Sequence, residues 1–204
     1  MVKVQVAKPE KEVKEAAKLI ETFLEKNQLS TNLTIYLDYQ LKECGCYYYY
    51  EEVGEKKVNP PKIYVNPILC IKSQNKKKVA ASYGYFDDFS VGGVILHEFA
   101  HYIDRRLKLE SKFESSLVIN KNCDTKMEQL AELFRLYLTN PYLLWLVSES
   151  DFNFFKENVF SVTPASKERF LFLWSTWPKK VKLHCKKHWG IYVDRGDVVQ
   201  IEKT

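Results

Sequence analysis

The stretch Val94-Ile95-Leu96-His97-Glu98-Phe99-Ala100-His101-Tyr102-Ile103-Asp104 constrains this chain more than any other. Its centre reads His-Glu-x-x-His. On a helix, residues four apart lie one turn above each other on the same face, so the imidazoles of His97 and His101 can hold one ion between them. Glu98 then sits about a quarter-turn round, where a carboxylate can take a proton from water that the metal activates. The flanks predict the helix: Val94, Ile95, Phe99, Ile103 and Leu107 make an apolar face, and no proline falls between Val91 and Leu109. Ser90, or Asp87 and Asp88 before it, can cap the start, while Arg105, Arg106 and Lys108 lie near the end, where cations are favoured.

The rest of the composition suits a folded globular chain. With 204 residues, 46% of them hydrophobic, and 12 Phe, 13 Tyr and 4 Trp, the chain can fill one sizeable core. The 31 basic residues are largely balanced by 26 acidic ones, and clusters such as Lys76-Lys77-Lys78, Lys179-Lys180 and Lys186-Lys187 read as solvated faces. Five cysteines, at 44, 46, 70, 123 and 185, form no regular framework, which predicts reduced thiols in an intracellular, cytoplasmic setting. The start lacks the apolar core of a signal peptide, and the run Tyr142 to Val147 is far too short to span a bilayer.

Taken in order, Lys11 to Lys26 has helical period, with Val13, Ala16, Ala17, Ile20, Phe23 and Leu24 recurring at three and four. Leu33 to Asp38, Cys46 to Glu52 and Lys62 to Asn66 read as three strands, the last closed off by Pro67. Lys72 to Lys78 reads as a polar loop. The predicted order is therefore helix, three strands and active helix, with a sheet edge able to pair with an extended peptide.

Beyond a polar connection, Asp124 to Leu138 reads as a helix capped by Asp124 or Thr125. Glu128 and Glu132 fall one turn apart on it. A metal held by two histidines needs a third ligand, and a glutamate from a following helix supplies one; the alternative is solvated glutamates paired with Lys126 or Arg135. Asn140-Pro141 ends this helix. Further helices follow over Tyr142 to Ser148, Phe152 to Asn158, Lys167 to Trp177 and Val181 to Trp189, and Gly190 to Glu202 reads as a hairpin turning at Asp194-Arg195-Gly196-Asp197.

Together, the His97 to Asp104 segment and Glu128-Gln129-Leu130-Ala131-Glu132-Leu133-Phe134, running into Asn140-Pro141, resemble the gluzincin zinc peptidases. The resemblance is to the group containing the anthrax lethal factor catalytic domain, the Pro-Pro endopeptidases and metallopeptidases encoded by bacteriophages, and it covers about residues 88 to 145. It implies an α+β, zincin-like fold in one domain over 1–204. Residues 1–110 would supply helix, sheet and active helix, and 111–204 a helical half ending in the hairpin. It also implies Zn2+ as cofactor, His97, His101 and Glu128 as ligands, Glu98 as general base, and Glu132 and Asp104 as outer-shell residues. The substrate would be a protein or peptide, in a bacterial or phage-infected cell. Those families place a tyrosine seven residues before the ligand glutamate to stabilise the oxyanion; here that position is Lys121, and Tyr83 or Tyr85 are the other candidates.

Two rival functions follow from the same residues. The missing tyrosine suits a zinc-stabilised binding or structural protein without useful activity. The basic stretch Lys179 to Trp189 suits a nucleic-acid-associated protease. That stretch also raises a second metal site, built from Cys44, Cys46, Cys185 and His188, against which Cys-Gly-Cys lacks the usual two-residue spacing.

Overall fold

The computed structural model describes residues 5–6, 11–48, 52–53, 56–57, 61–77, 83–86, 88–115, 117 and 125–201. Strand β1 (Gln5–Val6) comes first, followed by helix α1 (Lys11–Lys26). Every apolar position that the period of α1 selects is buried, namely Val13, Ala16, Ala17, Ile20, Phe23 and Leu24.

Strands β2 (Thr34–Leu37), β3 (Gly45–Tyr48) and β6 (Lys62–Val65) then build a sheet with β1 in the order β1-β2-β6-β3. A short hairpin, β4 (Glu52–Val53) with β5 (Lys56–Lys57), lies between β3 and β6 in sequence. The β1-β2 and β2-β6 pairs are parallel, and β3 runs antiparallel to β6, with Gly45 opposite Val65. The sheet is thus mixed, and β3 is its antiparallel edge.

The run Lys72 to Lys78 is not a loop through most of its length, because helix α2 spans Pro67–Lys77. Asn66 starts it: its Oδ1 accepts from the amides of Ile68 at 3.0 Å and Leu69 at 3.2 Å, and Pro67 follows at the position where a missing N–H costs nothing. Pro67 therefore ends a strand and begins a helix. Asn66 also donates through Nδ2 to the carbonyls of Tyr39 at 3.1 Å and Leu41 at 2.8 Å, tying the loop before β3 to the sheet.

Helix α3 (Val91–Leu107) packs against α1, α2, β3 and β6 and against α4 (Lys126–Thr139). Its first turn is held by three acceptors. Ser90 Oγ takes the Gly93 amide at 3.0 Å, Asp88 Oδ1 takes the Ser90 amide at 3.0 Å, and Glu12 Oε2, from α1, takes the Val91 amide at 3.1 Å. Phe23 of α1 meets Phe99 of α3 at 5.6 Å and Phe134 of α4 at 5.4 Å between ring centroids, both edge to face, so the three helices are locked by aromatic contacts.

Asn140 caps both α4 and the following α5 (Pro141–Val147), whose Leu143 amide it accepts at 3.3 Å. Then come α6 (Glu149–Asn158), α7 (Lys167–Thr176) and α8 (Lys179–Trp189). The chain closes with β7 (Ile191–Asp194) paired to β8 (Asp197–Gln200). Arg195 and Gly196 both have positive φ, 48° and 86°, as the two-residue turn of a twisted hairpin requires. A single buried cluster runs from Val13 to Ile191, so both halves share one core. Among the described residues, no helix is long and apolar enough to cross a membrane.

Candidate metal centre

Helices α3 and α4 bring three ligand-type side chains to one point. The Nε2 of His97 lies 3.0 Å from Glu128 Oε2, and the Nε2 of His101 lies 3.4 Å from Glu128 Oε1. The two imidazole rings are 5.0 Å apart and nearly perpendicular, at 82°. One ligand atom from each of His97, His101 and Glu128 falls within 4.8 Å of the others, and no other such group occurs among the described residues. Tetrahedral zinc with bonds of about 2.0–2.1 Å separates its ligand atoms by roughly 3.3 Å, and the two histidine–carboxylate spacings are of that size. Two imidazoles and a carboxylate are also a donor set that zinc accepts readily.

Helical geometry explains the convergence. His97 and His101 are one turn apart on α3, and Thr125 starts α4 by accepting the Glu128 amide on its hydroxyl at 3.2 Å. That cap sets where the helix begins and so places Glu128 on its first turn, facing the histidines.

Glu132, the next turn along, has a different environment. Its Oε2 lies 3.6 Å from His97 Nδ1, the ring nitrogen turned away from Glu128. Its carboxylate is gripped by Arg135, whose Nε donates to Oε2 at 3.0 Å and whose terminal nitrogen donates to Oε1 at 2.6 Å. Arg135 is wholly buried; it also donates to the Tyr85 carbonyl at 2.5 Å and lies 3.8 Å from Asp88 Oδ2. The pairing of Glu132 with Arg135 and its approach to His97 therefore coexist. Sequence reasoning offered Arg135 only as a solvated partner. Its burial, with Asp88 and Tyr85 around it, is set by the segment before α3 and leaves no periodic signal.

The electrostatics follow from this packing. Burial by itself would lower the His97 pKa, but the Glu128 and Glu132 carboxylates reverse that and raise it to about 9. His101 and His97 hold Glu128 well below the ordinary carboxylate range. For Glu132, burial pushes upward, and the Arg135 guanidinium outweighs it, so its carboxyl also stays well below that range.

Glu98 is buried, and burial raises its pKa, opposed by the attraction of His97 and His101. Its carboxyl lies against the first residue of the edge strand: a Cβ added at Gly45 would come 3.0 Å from Glu98 Oε1 and would strike Val94 Cγ1. Gly45 thus lets β3 approach the face of α3 that carries Val94 and Glu98. Nothing in the local pattern of Cys-Gly-Cys marks that role.

Other expected residues are placed elsewhere. Asp104 Oδ1 accepts the Glu110 amide at 2.6 Å, which fixes the exit of α3, while His101 Nδ1 is buried with no hydrogen-bond partner among the described residues. Asp104 is therefore a helix-end residue and holds neither histidine. The Tyr85 hydroxyl bonds His184 Nδ1 at 2.6 Å, which commits it to α8, and Tyr83 is on the surface with its carbonyl accepting from Trp177 Nε1 at 3.0 Å. Lys121 lies outside the described residues.

The Cys44, Cys46, Cys185 and His188 set is not assembled among the described residues, from which the Cys46 side chain is missing. Cys44 Sγ is 3.2 Å from Ser73 Oγ, Cys185 is fully buried with its thiol pushed up to about 12 by burial, and His188 stacks on His184 at 4.0 Å. Cys44, Cys70 and Cys185 are free thiols.

Compared with known proteins, the chain matches no family model, no curated protein and no solved structure.

Proposed function

We propose that the protein is a zincin-like metalloendopeptidase that hydrolyses peptide bonds at a zinc ion bound by His97, His101 and Glu128. The observation that carries this reading is the meeting of those three side chains within 4.8 Å, with Glu98 next to His97 on the same helix. Zinc bound there would supply Lewis acidity to an attacking water and to the scissile carbonyl. Glu98 takes the proton of that water as it attacks and returns it to the departing amine; both transfers use one carboxylate. Glu132, 3.6 Å from His97 Nδ1, would orient that ring and favour the proton on Nδ1, leaving Nε2 for the metal. Edge strand β3, antiparallel and against Glu98 at Gly45, has no outer partner strand among the described residues and would pair there with an extended peptide.

Zinc content per chain tests the ligand set, measured for wild type, His101→Ala and Glu128→Ala. About one zinc in wild type, lost from both variants, supports it. Wild type that holds no zinc after supplementation rules the reading out. A library of quenched fluorescent peptides then tests hydrolysis, with Glu98→Gln as the inactive control. A zinc-held binding protein without turnover is the second reading, favoured by the engagement of the Tyr85 hydroxyl with His184; zinc bound with no cleavage of any peptide would select it.

A further inference from the structure

Helix α8 carries a charge equal to the net charge of the whole chain, +5. Of 31 basic residues against 26 acidic ones, Lys179, Lys180, Lys182, Lys186 and Lys187 belong to α8, which has no acidic residue. The remainder of the protein balances, 26 against 26. Among the described residues no ion pair engages any of the five. Lys182 Nζ reaches the Ser175 carbonyl at 3.5 Å and Lys186 Nζ lies 4.5 Å from the centre of the Tyr192 ring, while Lys179, Lys180 and Lys187 are exposed.

This placement works against the helix itself. Lys179 and Lys180 stand at its positive end, where the backbone dipole repels cations, and Pro178 offers no side-chain cap. The unfavourable arrangement is relieved by an anion laid along the helix. Lys179, Lys182 and Lys186 recur at three and four, so they form one row with a step of roughly 5 Å along the axis. Lys182 links this row to α7 through the Ser175 carbonyl. Phe172 of α7 is 67% exposed and lies one turn ahead of Ser175, the residue whose carbonyl Lys182 reaches.

We propose that α8 together with Phe172 forms a binding surface for single-stranded nucleic acid, in which the lysines follow the phosphates and the phenyl ring stacks on a base. Basic tracks with exposed aromatic rings are the means by which unpaired strands are held without sequence preference. An acidic peptide would use the lysines and leave the ring idle, which is the ground for preferring a nucleic acid. The surface is independent of the metal centre, and its test needs no zinc.

Fluorescence anisotropy of the full chain with a labelled oligothymidylate longer than the ~4–16 nucleotides that one platform covers reads the interaction directly. Three variants are compared with wild type: all five lysines to Gln, Phe172→Ala, and Lys156→Gln as a distant charge control, each checked for native circular dichroism. Wild-type affinity is expected to fall with salt with a logarithmic slope of about −2 to −3.5, as three to five phosphate contacts on a single strand give. The five-lysine variant binds at least about 100-fold more weakly. Phe172→Ala binds about tenfold more weakly, as for one lost stacking contact. Salt-insensitive or undetectable wild-type binding overturns the proposal. Displacement of the oligonucleotide by polyglutamate of equal charge, with Phe172→Ala unchanged, also overturns it and assigns the surface to an acidic protein segment.

Discussion

Arg135 holds the Glu132 carboxylate in a two-pronged grip, with donor distances of 3.0 and 2.6 Å, and the same carboxylate stands 3.6 Å from His97 Nδ1. A buried cation on α4 thereby fixes the carboxylate that stands beside a ring of the candidate metal centre on α3. Arg135→Met takes the two-pronged guanidinium grip away from a buried carboxylate. The expected cost is about 3–5 kcal/mol of unfolding free energy, read by urea denaturation of the metal-free protein.

The proposed site assigns Glu128 and Glu132 different effects on zinc. Glu128→Gln removes a ligand, so the variant should retain no stoichiometric zinc after dialysis. Glu132→Gln should still bind one zinc but about 10–100-fold more weakly, since only the support of His97 is lost. Competition with a chromophoric chelator measures both, and equal losses would mean that Glu132 also binds the metal.

Glu98→Gln should keep zinc and lose turnover. A positioned general base contributes about 10²–10⁴-fold, so kcat on a cleaved peptide should fall by that range while zinc content stays at the wild-type level. A variant that cleaves at the wild-type rate would remove Glu98 from the chemistry.

Gly45→Ala probes the contact between edge strand and active helix. The added methyl strikes Val94 and comes within 3.0 Å of Glu98 Oε1. Stability should drop by about 1–3 kcal/mol, the usual cost of overpacking. Peptide cleavage should suffer beyond that loss, because the displaced group is the proposed base, while zinc content should not change.

The metal-free protein should be most stable in mildly acidic solution. His97 has its pKa raised from 6.5 to about 9, so its contribution is complete below the unfolded value and is lost as pH rises through about 9. Glu128 and Glu132 are held below 4.5, so theirs is present above that value and is lost as pH falls. Melting temperature without zinc should therefore peak between about pH 5 and 6.5. Zinc must displace the His97 proton, so its affinity should climb with pH through the same upper range. A zinc affinity that does not vary between neutral and mildly alkaline pH would contradict this coupling.

Much of the local structure is legible without coordinates. The apolar period of α1 names all of its buried positions, and the segment around His97 declares its own helix. Thr125 and Asn140 mark where α4 starts and stops. The hairpin at Arg195-Gly196 is also readable, because its turn needs two residues of positive φ. The misread segments carry two meanings in one residue. Pro67 closes β6 and opens α2, and the polar composition of Lys72 to Lys77 masks a helix whose cap is Asn66. Strand β1 is too short for alternation to register and exists through its pairing with β2.

By itself the sequence determines that two histidines and a glutamate lie on one helix, that two further glutamates lie one turn apart on another, and that the chain mixes helices with short strands. These are consequences of residue spacing, which acts over one or two turns and needs no distant partner. Only the tertiary structure decides that Glu128 meets both histidines, that Glu132 is gripped by buried Arg135 beside His97, that Tyr85 is spent on His184, and that Gly45 admits β3 to the side of Glu98. Those outcomes depend on how packed elements from distant parts of the chain meet, and the close packing of a core responds to shape and charge at contacts that no local period records.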